Sequence, residues 1–173
     1  MKKTIIAFIV LSLPTLSVQA DEEYSGSRIG LGYNTTFIEK LGTHYFDYGD
    51  GIKLEYGYDI NRIVGIKTSY ESNQESGIGL KGEAIKIGAD IGYAFDLNGW
   101  DIKPYGFLGI AHYSEERNGI SEEIVSTSNS SAVVGMGVRA NFDVGIYVDV
   151  NFDMLEMDSH FSGQSALTVG YKF

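Results

Sequence analysis

The chain has no cysteine, only two prolines and a single tryptophan in 173 residues. Without thiols there are no disulfide staples, no thiolate zinc site, no cysteine nucleophile and no cysteine-borne lipid anchor. Basic residues are also scarce, with 13 Lys+Arg against 23 Asp+Glu for a net charge of −10. So acidic a chain lacks the phosphate-neutralising surface of a general nucleic-acid binder. No stretch after residue 20 approaches the roughly 18 apolar residues that a membrane-crossing helix needs. What is abundant is glycine, at 22 residues, and tyrosine, at 12. That mixture suits a glycine- and aromatic-rich β protein of one domain, long enough to bury a substantial core.

The first twenty residues stand apart. Lys2 and Lys3 are followed by the short apolar run Ile5–Leu11, then Pro14, then Val18-Gln19-Ala20 just before the acidic Asp21-Glu22-Glu23. This is the layout of a cleaved secretory signal peptide, expected over residues 1–20, with the mature domain over residues 21–173. Removal of that segment and its two lysines leaves 153 residues with 11 basic and 23 acidic groups.

The mature chain reads in period two, as strands with distinct faces do. Ile29, Leu31 and Tyr33 alternate with Arg28, Gly30, Gly32 and Asn34; Ile52, Leu54, Tyr56 and Tyr58 alternate with Lys53, Glu55, Gly57 and Asp59. Similar segments run over 64–71, 85–95, 134–142, 146–153 and 167–173. A fifth segment in chain order, Ile102–Tyr113, shows two parities, Tyr105/Phe107 and Leu108/Ile110, so its faces stay unassigned. Short turns at 61–62, 96–99 and around Asp143 alternate with longer polar stretches at 39–50, 72–82, 114–130 and 155–162. Short turns at one end and long loops at the other form the pattern of an outer-membrane barrel.

The greasy face decides the environment. One face is almost wholly aliphatic and aromatic, and the other mixes glycine with charge. Eight strands enclose an interior only just wide enough for side chains, so the bulky face is expected outward, against lipid. Aromatics collect at the segment ends, with Tyr58, Phe95, Trp100, Phe142 and Phe173 at the short-turn end and Phe37, Tyr70, Tyr113 and Phe152 at the loop end, as two interfacial girdles. The expected fold is all-β: an eight-stranded antiparallel up-and-down transmembrane β-barrel with short periplasmic turns and longer extracellular loops. Its lumen would hold Arg28, Lys53, Lys67, Lys86, Arg139 and Lys172 facing Glu55, Asp90 and Asp149, with Asp59, Glu71 and Asp153 nearer the strand ends, as a paired, sealing network.

With the strands placed, the sequence resembles the Ail/OmpX family of eight-stranded outer-membrane proteins, and small OmpA-like barrels more broadly. The residues that carry the likeness are 51–58 with 64–70, then Gly92-Tyr93-Ala94-Phe95, Asn98-Gly99-Trp100 and Tyr105-Gly106-Phe107-Leu108-Gly109. The ending Val169-Gly170-Tyr171-Lys172-Phe173 is similar to the terminal signal read by outer-membrane assembly machinery. The resemblance implies a non-enzymatic protein of the cell outer membrane, associated with envelope integrity, adhesion or resistance to host defences. Its partners would be outer-membrane lipid and lipopolysaccharide, the assembly machinery, and a surface protein met through the loops. The loops depart from a heparan- or phosphate-binding pattern, being acidic at Glu39, Asp47, Asp50, Glu115, Glu116, Glu122, Glu123, Glu156 and Asp158.

Two rival functions have residues behind them. His112-Tyr113-Ser114 and His160-Phe161-Ser162 place a base and a hydroxyl on one strand face, as in lipid A acyl hydrolases of the PagL type, which add a carboxylate. Eleven residues follow Ser162 and none is acidic; Glu122 and Glu123 follow the first triplet only in a loop. The second rival is a small pore. The expectation is no catalytic, metal or cofactor site: His44, His112 and His160 have no ligand spacing, and no calcium loop appears. The stretch 114–130 is expected to extend the fifth and sixth segments as a hairpin, with its tip near Asn118-Gly119.

Overall fold

The computed structural model describes residues 24–40, 44–75, 80–118, 124–157 and 160–173. The expected signal peptide, and loop residues Glu122, Glu123 and Asp158, lie outside these. Eight long strands follow in order: β1 (Gly26–Lys40), β2 (His44–Asp59), β3 (Val64–Glu75), β4 (Leu80–Gly92), β5 (Trp100–Asn118), β6 (Ile124–Phe142), β7 (Ile146–Met157) and β8 (His160–Lys172). After Tyr93-Ala94 the β4 ladder resumes in unchanged register at Phe95↔Ile102 and Asp96↔Asp101, so this piece continues β4.

Each strand pairs antiparallel with its neighbour in sequence, and β1 pairs with β8 from Arg28↔Lys172 to Glu39↔Phe161. The sheet therefore closes and leaves no lateral edge within the membrane, the condition for a β structure to cross lipid. Short turns make the periplasmic end. Asn61 accepts hydrogen bonds on Oδ1 from the backbone N–H groups of Ile63 and Val64, at 2.7 and 2.8 Å. Asn98 and Gly99 have φ of 60° and 101°, the left-handed pair that a two-residue hairpin turn requires.

Alternation sorts the side chains as the pattern predicts. The outward rows of Ile29, Leu31, Leu54, Ile87, Val134, Val150 and Val169 are exposed, an apolar belt far larger than a soluble monomer presents. Charged and small residues point inward. The ambiguous strand, β5, is resolved: Tyr105 and Phe107 are 5% and 3% exposed, whereas Leu108 and Ile110 are each 61% exposed. With Ala111, Val133 and Leu155 these two aromatics form a small apolar plug inside the barrel. Tyr113 shares their parity and is buried, which corrects its assignment to the outer girdle. Girdle pairs do form elsewhere, Trp100 on Phe142 at 6.1 Å and Phe37 on Phe152 at 5.8 Å between ring centroids.

Candidate functional site in the lumen and at the outer rim

Alternation on every strand delivers charge to the barrel axis, and the charges meet. Arg28 donates to Asp59 at 2.6 Å and to Asp90 at 2.8 Å, with Glu55 at 3.7 Å. From across the barrel Arg139 donates to Asp59 at 3.1 Å, Asp90 at 3.0 Å and Asp149 at 3.1 Å. Lys103 reaches Asp90 at 2.7 Å, and Lys172 reaches Asp59 at 3.2 Å. Toward the loops, Lys53 pairs with Glu55 at 2.9 Å, and Lys86 pairs with Glu71 at 2.9 Å and Asp153 at 2.8 Å. Shared carboxylates join Arg28, Arg139, Lys103, Lys172 and Lys53 in one network, and Lys86 with Glu71 and Asp153 forms a second cluster nearer the loops.

Two details depart from the expected set of six cations facing six carboxylates. Lys103 joins the cations, and Asp101, bonded by Asn141 at 2.7 Å, adds a carboxylate at the turn end. Lys67 is the other exception: among the described residues, no carboxylate lies within salt-bridge distance of its ammonium. Lys67 instead donates to the Tyr105 hydroxyl at 3.2 Å and lies 4.5 Å from the centroid of the Phe107 ring. Tyr105 in turn donates to Asp149 at 2.8 Å. The aromatic pair of β5 thus replaces an acid, by a cation–π contact and a relay.

The cavities that reach into the lumen among the described residues are small. At the periplasmic end Arg62 lies 4.3 Å from the centroid of the Tyr24 ring, and Lys172 donates to the Tyr24 carbonyl at 2.8 Å. The cavity they cover, lined also by Asp59, Lys103 and Asn141, is about 10 Å³. At the loop end a cavity of about 40 Å³ lies among Thr36, Asn73, Tyr113, Leu155, Ser162 and Gln164. Such spaces hold about one to three waters. Refolded protein in a planar bilayer is accordingly expected to give no large, steady single-channel current; such a current would contradict a sealed lumen.

Of the two His-x-Ser triplets, the side chain of His160 lies outside the described residues, and the first triplet does not act as a unit. Ser162 is buried in the lumen wall. His112 lies on the outer surface, and its ring meets serines of β6. Its Nδ1 is 2.9 Å from Ser130 Oγ and its Nε2 is 3.1 Å from Ser128 Oγ, both on β6. Both ring nitrogens are thereby engaged by hydroxyls, and among the described residues no carboxylate orients the ring. No cluster of three or more metal-ligating side chains occurs among the described residues. Val169, Tyr171 and Phe173, the expected assembly signal, all face outward at the turn end of β8.

The family model for the outer membrane protein beta-barrel domain matches residues 6–173. The attachment invasion locus protein of Yersinia enterocolitica is 26% identical over 183 residues, spanning all of both chains. The crystal structure of Ail from Yersinia pestis superposes with a TM-score of 0.62 at 24% identity, over 86% of this chain and 99% of that one. The outer membrane enzyme PagL shares the fold alone, with a TM-score of 0.56 at 13% identity, over 82% of this chain and 98% of that one. A closed eight-stranded barrel with a greasy outside, a charged inside and a family match over nearly its whole length belongs to the outer membrane protein beta-barrel domain family and resides in the outer membrane.

Proposed function

We propose that the chain, exported by residues 1–20, is a structural and interaction barrel whose activity lies at the cell surface, on the β5–β6 hairpin. The observation that carries this reading is a mismatch of ladders. β5 and β6 stay paired out to Asn118↔Ile124, while the ladder of β6 with β7 reaches only to Val133↔Leu155. Among the described residues the outer part of β6 therefore runs on with ladder pairing to β5 alone. Residues 124–132 read IVSTSNSSA, with no charge and no proline, the usual devices that blunt a strand edge. An extended segment of a partner protein can add to such an edge by main-chain hydrogen bonds.

The name of the Yersinia enterocolitica relative points to attachment, and Yersinia pestis Ail, 25% identical, has been crystallised with the heparin analogue sucrose octasulfate. A polyanion is a poor fit here. The loop stretches carry Glu39, Asp47, Asp50, Glu75, Glu115, Glu116, Glu122, Glu123, Glu156 and Asp158 against Lys40, Lys81 and Arg117. A neutral or basic extended segment suits that field better. No reaction is part of this reading, because His112 is tied to β6 rather than to a nucleophile with an orienting acid. Val169, Tyr171 and Phe173 serve assembly, and the lumen charges serve the fold.

Replacing residues 116–126 with a short Gly-Ser turn is expected to leave the heat-dependent gel shift of a folded barrel intact while reducing binding to host cells or secreted host proteins. A variant that keeps every measurable surface activity would reduce the hairpin to a connector.

A further inference from the structure

The loop end of the lumen is short of hydrogen-bond donors. There Lys86 faces two acids, Glu71 and Asp153, and Asp153 Oδ1 has no hydrogen-bond partner among the described residues. Lys67, inward on β3, is spent on Tyr105 and Phe107. Gln164 links this cluster to the cavity of about 40 Å³ beside it: its Oε1 accepts from Lys86, and its Nε2 donates to Thr36 Oγ1 at 3.1 Å. Thr36 Oγ1 also accepts from Asn73 Nδ2 at 2.7 Å. These bonds spend the amide donors on one another and leave acceptors for the cavity. Asn73 lines it at 9% exposure, and its Oδ1 has no hydrogen-bond partner among the described residues. Glu115, opposite Gly82 on the inward parity of β5, and Ser162 line the same space.

We propose that this cavity is a socket for a primary ammonium group at the end of an aliphatic stem. An amide oxygen, a carboxylate and a hydroxyl, from Asn73, Glu115 and Ser162, answer the three N–H donors of an ammonium. The bond to Glu115 is charge-assisted, and the acid-rich cluster around Lys86 favours a cation and repels an anion. The space suits a group about as large as a water molecule with one or two waters beside it. A guanidinium brings five donors and would leave some of them unmet. A calcium ion fits worse, since it takes about six to eight oxygens, several of them carboxylate. Among the described residues no three metal-ligating side chains cluster. Tyr113 and Leu155, each 5% exposed, wall the cavity and offer apolar surface to the stem. The lysine of a surface protein and a free alkylamine or polyamine carry this same group.

The inference rests on the lumen contacts and not on the hairpin's partner. The mature barrel, labelled with ¹⁵N and refolded in micelles, would be titrated with butylammonium, with a short lysine-containing peptide, and with tetramethylammonium at matched ionic strength. The side-chain amide signals of Asn73 and Gln164 report on the socket. Butylammonium should shift both to saturation, whereas tetramethylammonium, which has no N–H, should shift neither. Tighter binding of the peptide than of the free amine would identify a protein source, and the reverse order a diffusible one. Glu115→Gln should weaken butylammonium binding about tenfold, the loss of one charge-assisted bond. Asn73→Asp, followed through Gln164, should tighten it, because a carboxylate replaces the amide. The gel shift confirms that each variant folds. Replacing residues 116–126 leaves Glu115 in place and should leave butylammonium binding at the wild-type level, so the socket and the hairpin fail separately. Equal shifts from both cations, full binding by Glu115→Gln or weaker binding by Asn73→Asp would overturn the proposal. So would binding that emerges only once residues 116–126 are replaced, the mark of a socket filled by this chain itself.

Discussion

Arg139→Ala is expected to cost the barrel about 3–5 kcal/mol in a urea unfolding titration in micelles, the usual penalty for breaking a buried ion pair from one side. Among the described residues Arg139 is the one side chain that pairs with Asp59, Asp90 and Asp149 together, so it ties β2, β4 and β7 to its own β6. Its loss leaves three carboxylates in a buried lumen with fewer donors. Arg28 and Lys103 still serve Asp59 and Asp90, but among the described residues Asp149 keeps only the Tyr105 hydroxyl as a side-chain donor. The lipid-facing neighbour provides the control, because Val138→Ile adds one methylene against fluid hydrocarbon and should change stability by well under 1 kcal/mol. A loss of less than about 1 kcal/mol for Arg139→Ala would mean that water or rearrangement satisfies the acids, and the network would not be what holds the strands in register.

Much of this network is legible in the alternation of the sequence, for a definite reason. A strand with one greasy face has its register specified, since a slip of one residue would turn charge toward lipid. Alternation therefore placed Arg28, Lys53, Lys86, Asp90 and Asp149 inside. It failed on β5, where Phe107 and Leu108 are adjacent and bulky, so each parity offers a plausible lipid face. Tertiary chemistry decides there: the Tyr105 hydroxyl finds Asp149 and the ring pair covers Lys67. Lys103 and Tyr113, which share that parity, went unrecognised as lumen residues with it.

The histidine pairing failed for another reason. Residues two apart on a strand share a face at about 6.6 Å, whereas residues directly opposite on antiparallel strands have Cβ atoms about 4.5–5.5 Å apart. His112 accordingly met Ser130, its cross-strand partner, and the diagonal Ser128, rather than Ser114. Sequence spacing within one strand identifies a shared face. Which side chains touch depends on the neighbouring strand's register.

Gly57→Leu should be at least as damaging as losing Arg28 itself, although it removes no charge. Gly57 is the direct cross-strand partner of Arg28, and a Cβ at Gly57 would lie 2.4 Å from Arg28 Cζ and 2.6 Å from Nε and Nη2. The guanidinium rests on the bare backbone of β2, and that seat points it at Asp59 and Asp90. Other inward glycines sit beneath large groups in the same way, Gly30 under the Tyr147 hydroxyl and Gly137 under Tyr105. A leucine at 57 must push Arg28 off its acids, which adds an overpacking cost of about 1–3 kcal/mol to the broken pairs at about 3–5 kcal/mol. A double-mutant cycle tests whether seating Arg28 is what this glycine does. Arg28→Ala alone empties the space and strands the acids; with leucine also at 57, the vacated volume is filled and nothing further is displaced. The double variant is therefore expected to unfold close to Arg28→Ala, so the coupling between the two sites nearly equals the Gly57→Leu loss itself, about 4–8 kcal/mol. Strictly additive losses would show that Gly57 matters for the backbone path of β2 and not for Arg28, and the alternation of glycine with charge would need another explanation.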